Sequence, residues 1–187
     1  SGGTISVNVE SQLLLEGKND TFESSIRSTT ADLTILDDGA NESVLFARSD
    51  LGTGIGGVIH VEADSIVMND GANITAISGI TNDIALGREV TSGDAGSIEI
   101  VANRLELTGG SSIETQSIES SGGSVDIRVV DFIGITDSSV ETNSRGASPE
   151  NPGGDIFIDP KLLLFNNATI NANANAGNGG NIQIIAD

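Results

Sequence analysis

The stretch Gly122-Gly123-Ser124-Val125-Asp126-Ile127 decides the fold, because it returns along the chain in slightly altered form. The same order is a glycine pair or Ala-Gly, any residue, then apolar, polar, apolar. It stands at Gly2-Gly3-Thr4-Ile5-Ser6-Val7, Gly56-Gly57-Val58-Ile59-His60-Val61 and Ala95-Gly96-Ser97-Ile98-Glu99-Ile100. It returns at Gly153-Gly154-Asp155-Ile156-Phe157-Ile158 and Gly179-Gly180-Asn181-Ile182-Gln183-Ile184. Successive second glycines are separated by 54, 39, 27, 31 and 26 positions. A base period of roughly 26–27 residues accounts for all five, with one interval doubled and two lengthened by about twelve and about four residues. The doubled interval is expected to hide a degenerate anchor at Thr30-Ala31-Asp32-Leu33-Thr34-Ile35. Self-similarity at this period is the signature of a solenoid, in which each repeat buries its apolar face only against its neighbours.

Two further short apolar segments follow each anchor. After Ile98-Glu99-Ile100 come Leu105-Glu106-Leu107 and Ile113-Glu114-Thr115; after Ile156 to Ile158 come Leu162 to Leu164 and Ile170 to Ala172. Each alternates with period 2, the pattern of a strand with one buried face. Turn chemistry separates them at Asn69-Asp70-Gly71, Thr108-Gly109-Gly110, Thr136-Asp137 and Asn166-Asn167. No stretch carries sustained helical periodicity. The expected fold is all-β: a right-handed parallel β-helix of about six to seven coils with three short strands per coil, forming a single domain over residues 1–187. Ile, Val and Leu should stack inward, with Ala76, Thr115, Thr142 and Ala172 where the cross-section narrows. The glycine pairs are expected to supply positive φ at the corner before each first strand. Phe132-Ile133-Gly134-Ile135 fits two registers. Loop insertions are expected near 80–92 and 145–152, both on the corner that follows a third strand, where added residues often form a binding surface.

Composition narrows the function. The chain has 187 residues with 27 acidic and 8 basic side chains, a net charge of −19. That balance argues against nucleic acid or an anionic membrane surface as partner. With no Cys, disulfides, thiolate catalysis and iron–sulfur clusters are excluded, and one histidine cannot build a multi-His metal site. Trp and Tyr are absent, so the five Phe are the only rings available for stacking. No apolar run is long enough to span a membrane, so membrane insertion is not expected. A start in mid-pattern without Met suggests a piece of a larger protein.

On the stretches Gly153 to Pro160 with Leu162 to Ile170, Ala174 to Ile182, and Asp94 to Thr115, the chain resembles the haemagglutination-repeat β-helix of filamentous haemagglutinin-type adhesins, the exoproteins of two-partner secretion. The likeness covers most of Gly56 to Asp187 and the first fifty residues loosely. It implies a bacterial protein that is secreted or held at the cell surface, exported through an outer-membrane transporter partner. The partners it implies are glycans or proteins on host or neighbouring cells. No enzyme activity is expected, and no cofactor apart from the Ca²⁺ weighed below at Glu114 and Glu141.

Candidate chemistry is set by slots that recur one coil apart. Glu99 and Asp126 share an outward slot, as do Glu114 and Glu141, at a spacing of about 5 Å that would suit a retaining glycosidase pair. A polysaccharide-degrading enzyme is therefore the alternative to adhesion, although outward slots must be polar in any case. Glu114 and Glu141 are the best metal pair, for Ca²⁺, with the Asp70 and Asp137 turns as weaker candidates. His60, in the slot of Glu99 and Asp126, reads as an exposed surface imidazole. Phe157 points outward and is a surface-recognition candidate. So is the run Asn171, Asn173 and Asn175, whose amides could form a ladder. Sequons occur at Asn19, Asn41, Asn73 and Asn167. Open strand edges at the ends of a stack would favour end-to-end self-association into a filament.

Overall fold

The computed structural model describes residues 4–16, 18–19, 22–23, 25–29, 33–34, 44–47, 55–78 and 93–186, with side chains over 4–15, 55–78 and 93–186. In chain order the strands are β1 (Thr4–Glu16), β2 (Lys18–Asn19), β3 (Phe22–Glu23), β4 (Ser25–Thr29), β5 (Leu33–Thr34), β6 (Val44–Ala47), β7 (Val58–Asn69) and β8 (Asn73–Ser78). They continue as β9 (Ser97–Leu107), β10 (Ser112–Ser117), β11 (Val125–Thr136), β12 (Ser139–Ser144), β13 (Ile156–Asn166), β14 (Thr169–Ala174) and β15 (Ile182–Ile184). The described residues contain no helix.

Two sheets carry the structure. A long sheet runs β1-β7-β9-β11-β13-β15, and every pair in it is parallel. A short sheet runs β14-β12-β10-β8-β4-β6-β5, parallel except for the last pair. Within each repeat a long strand leads through a tight turn into a short one. Each strand then pairs with its counterpart one repeat away.

The register stacks like on like. One apolar column runs Ile5, Ile59, Ile98, Val125, Ile156, Ile182, and the next runs Val7, Val61, Ile100, Ile127, Ile158, Ile184. In the second half of the long strands the columns are Leu13, Ile66, Leu105, Ile133, Leu163 and Leu15, Met68, Leu107, Ile135, Phe165. The short sheet contributes Ile74, Ile113, Val140 and Ile170, and the small residues Ala76, Thr115, Thr142 and Ala172 align as expected. Most of these positions are wholly buried and form one core. Period-2 alternation dictates this, since every second side chain must face inward and each inward residue meets its equivalent about 4.8 Å above.

Three expectations are corrected. First, the repeat has two strands, not three: the first and second segments run on as one strand of 11–13 residues. The bend between them is taken up inside the strand. β1 and β11 each insert an extra residue there, between Val9 and Gln12 and between Val129 and Phe132. That bulge settles the ambiguous stretch: Ile133 pairs with Leu105 and Leu163, and the surplus residue is absorbed at Val130 and Asp131.

Second, the 54-residue interval hides no rung of the long sheet, because β1 pairs directly with β7. Leu33 and Thr34 of the supposed anchor form β5, which lies antiparallel to β6 beyond β4; Thr30, Ala31, Asp32 and Ile35 lie outside the described residues. β2 and β3 form a small antiparallel pair of their own.

Third, none of the described corner glycines has positive φ. Among the described residues that conformation belongs to Gly71, Gly109, Gly110, Asp70, Asp137 and Asn167, all in the turns between long and short strands. The glycine pairs are needed for close approach instead. A Cβ built on Gly96 would strike the carbonyl oxygen of Gly57. On Gly123 it would strike that of Gly96, on Gly154 that of Gly123, and on Gly180 that of Gly154. Backbone lies directly on backbone at this corner, and ladder bonds cross it, Gly122 N to Pro152 O at 2.9 Å and Val125 N to Asp155 O at 3.0 Å. Thr142 ties the short strand to it by donating its hydroxyl to Gly154 O at 2.5 Å.

Among the described residues β15 covers only Ile156 to Ile158 of β13, so the rest of β13 is paired on one side alone, and Leu162 and Leu164, in the outward columns of Phe132 and Glu106, are 60% and 55% exposed. Pro160, which lacks an N–H, falls on this free portion, as edge positions tolerate.

Candidate functional site

The outward face of the long sheet gathers unlike side chains into one row. Ser6, His60, Glu99, Asp126, Phe157 and Gln183 occupy a single register column, and Asn8, Glu62, Val101, Arg128 and Asp159 form the column beside it. Alternation puts them outside because their neighbours Ile59, Ile98, Ile127 and Ile158 hold the core.

The row is internally tied. His60 Nδ1 lies 3.0 Å from Glu99 Oε2, so the ring nitrogen is the donor to that carboxylate, and His60 Nε2 lies 3.8 Å from Glu62 Oε2. Arg128 donates from Nη2 to Asp126 Oδ2 at 2.6 Å and reaches Glu99 Oε1 at 3.8 Å from Nη1. Its guanidinium stands 6.0 Å from the Phe157 ring centroid. Further along the strands Arg104 pairs with Glu106 and stacks on Phe132 at 4.5 Å. His60 is thus a half-buried member of a hydrogen-bonded chain rather than the plain exposed imidazole expected.

Asp126 stands apart electrostatically. Its carboxyl is held above the ordinary carboxylate range, chiefly by burial, with Glu99 and Asp159 pushing the same way and Arg128 opposing. Its Oδ1 is inaccessible and has no hydrogen-bond partner. Ion pairs this exposed contribute little stability, roughly 0–1 kcal/mol each.

Beside the row lies an open bay of about 450 Å³, lined by Val101, Arg128, Val129, Val130, Pro160 and Lys161, with Asp159 at its side. It adjoins the extra residue of β11. Sequence reading missed this feature, although the ambiguous register around Phe132 was its trace.

The remaining predicted residues fall elsewhere. Glu114 and Glu141 are register neighbours on the short sheet, as spacing required. Amides fill the space between them: Asn143 Nδ2 donates to Glu114 at 3.2 Å and to Glu141 at 3.3 Å, and Gln116 Nε2 donates to Glu114 at 2.9 Å. Ca²⁺ takes six to eight oxygens, and among the described residues no three His, Asp or Glu side chains converge on a point. The pair by itself is a poor fit to a calcium site. Asp70 and Asp137 sit in stacked turns, Asp137 accepting from Asn167 Nδ2 at 2.7 Å.

Asn171 and Asn173 stand on edge strand β14, in register with Glu141 and Asn143, and Asn175 lies just beyond it. Asn143 stands behind Asn173, but Glu141 stands behind Asn171 and Gln116 behind Asn143, so the asparagine ladder is one step long. Of the sequons, Asn167 is exposed at its turn, whereas Asn73 is half-buried, donates to Gly71 O at 2.9 Å and accepts from Ser112 at 2.5 Å. Asn19 lies in β2, and Asn41 lies outside the described residues.

The insertion near 145–152 forms a corner loop pinned to the preceding repeat by Asn151 Nδ2 donating to Glu119 O at 3.0 Å. The insertion near 80–92 lies outside the described residues.

These features define an all-β protein of stacked parallel sheets with an ionic and aromatic row on its long face. Comparison with protein-family models, with curated proteins and with solved structures finds no match.

Proposed function

We propose that the chain is a non-catalytic segment of a right-handed parallel β-helix of about six to seven coils, belonging to a secreted or surface-exposed bacterial exoprotein of the adhesin type. It binds glycans or proteins on neighbouring surfaces while its coils serve as a stalk. The observation that carries this reading is the order β1-β7-β9-β11-β13-β15, in which every neighbour is the next repeat and every pair is parallel. Parallel strands joined this way wind right-handed in nearly all cases. The apolar ladders leave the outer faces free to vary, which suits display.

The test is binding of the purified chain to bacterial and host cells and to a glycan panel, with reducing-end release measured in parallel. Saturable binding without release supports the reading; release of sugars overturns it.

A second reading, a polysaccharide-degrading enzyme, is favoured by one feature. Asp126, with its raised carboxyl affinity for a proton, sits one rung from Glu99, as an acid and a nucleophile would. Turnover that Asp126→Asn abolishes would establish it.

A further inference from the structure

We infer that the outward row from His60 across Glu99, Asp126 and Arg128 to Phe157 binds an extended neutral polysaccharide lying along the stack axis. The inference rests on the binding reading above and names its ligand class.

Spacing comes first. Consecutive members of the column stand on consecutive strands, about 4.8 Å apart. That step is comparable with the length of one pyranose unit, so a sugar chain laid across the strands meets a new side chain with almost every residue. A ligand running along a strand would meet only one repeat.

The chemistry of the row fits hydroxyls. A sugar hydroxyl both donates and accepts, and the row offers both. Arg128 carries five N–H donors, of which its contacts with Asp126 and Glu99 use a part. The part-exposed carboxylates of Glu62 and Glu99 supply acceptors beside it. Phe157 is half-buried with its side chain on the outer face; the negative face of an aromatic ring attracts the C–H face of a sugar as it attracts other positive edges. The bay of about 450 Å³ beside Arg128 lies within the usual range for small-ligand sites, with an apolar floor at Val129 and Pro160.

Charge decides which sugar polymer. Glu62, Glu99, Asp126 and Asp159 outnumber Arg128 and Lys161 here, on a chain of net charge −19. A polyanion would be repelled. A basic peptide is the other class a negative row could take, but Glu99 and Asp126 are already engaged by His60 and Arg128. A cation would have to displace those partners, whereas a hydroxyl can join them.

The experiment is titration of the intact chain by calorimetry with soluble β-glucan, xylan and mannan, with polygalacturonate and heparin as polyanions, and with oligolysine. At least one neutral polymer is expected to bind, and its oligomers should gain affinity up to about the four or five units that span the row. Phe157→Leu, which keeps apolar bulk, and Arg128→Ala should each weaken binding about five- to thirty-fold, with circular dichroism unchanged. Arg145→Ala in the corner loop should leave it unaltered.

Binding only to polyanions or to oligolysine overturns the inference, as does neutral binding that the row variants do not weaken. If the chain holds cells but no neutral glycan, this site falls while the adhesion reading stands. If it holds neither, both fall.

Discussion

Replacing Gly154 with Ala tests the structure where it is least forgiving. The added Cβ would sit at less than half the ordinary C···O contact of about 3.3 Å from Gly123 O, and 2.9 Å from Gly122 C. Both partners are backbone, so no side chain can swing aside. The two corners would have to part by more than about 1.5 Å, which takes a good ladder bond beyond hydrogen-bond range. Three bonds are at stake: Gly122 N to Pro152 O, Val125 N to Asp155 O, and Thr142 Oγ1 to Gly154 O. At about 1 kcal/mol each, with strain on the packing of Val125 and Ile156 behind them, the expected loss is about 3–5 kcal/mol.

Gly110→Ala is the matched control. It has φ +83° but no heavy atom within 4 Å of the new methyl, so its cost is conformational alone, about 1–2 kcal/mol. Urea midpoints compare the two variants. Amide exchange locates the damage, since a repeat array can open locally. Gly154→Ala should cost clearly more and should deprotect the amides of Gly122 and Val125. Equal costs, or protection unchanged at that corner, would refute the close-approach account of the glycine pairs.

Other outcomes follow from particular atoms. Thr142→Val should destabilise by about 1–2 kcal/mol in urea unfolding because Gly154 O loses its donor, while Thr115→Val, whose buried hydroxyl has no partner, should be neutral or stabilising. Asp126 binds its proton more tightly in the folded than in the unfolded chain, so its contribution is fully present below the ordinary carboxylate range and is lost as pH rises through its raised folded value. Asp126→Asn should therefore raise the melting temperature relative to the parent at neutral pH and lose that advantage near pH 3. Asn143→Ala removes the amide shared by Glu114 and Glu141, and should lower the melting temperature most at low ionic strength, with salt restoring part of the loss.

The site was partly legible in the same way as the fold. Slot-sharing placed His60, Glu99, Asp126 and Phe157 in one column, and Glu114 beside Glu141, because a parallel register follows once the repeat is aligned. The contacts that give those columns their chemistry were not legible. Arg128 turning toward Asp126 and Glu99, Asn143 reaching both short-sheet carboxylates, and the bay beside Val130 each depend on side-chain direction across strands.

By itself the sequence determined the strand character of the segments, most of the inward Ile, Val and Leu, and the stacking of the repeats from Gly56 onward, because alternation and period are properties of linear order. The tertiary structure alone decided that two segments merge into one strand, with a bulge in β1 and β11, and that β1 meets β7 across 54 positions. It also decided why the diglycines are there. Their φ values are ordinary, and the prohibition on a Cβ comes from the preceding repeat's carbonyl, an atom some thirty residues away that no local rule can see.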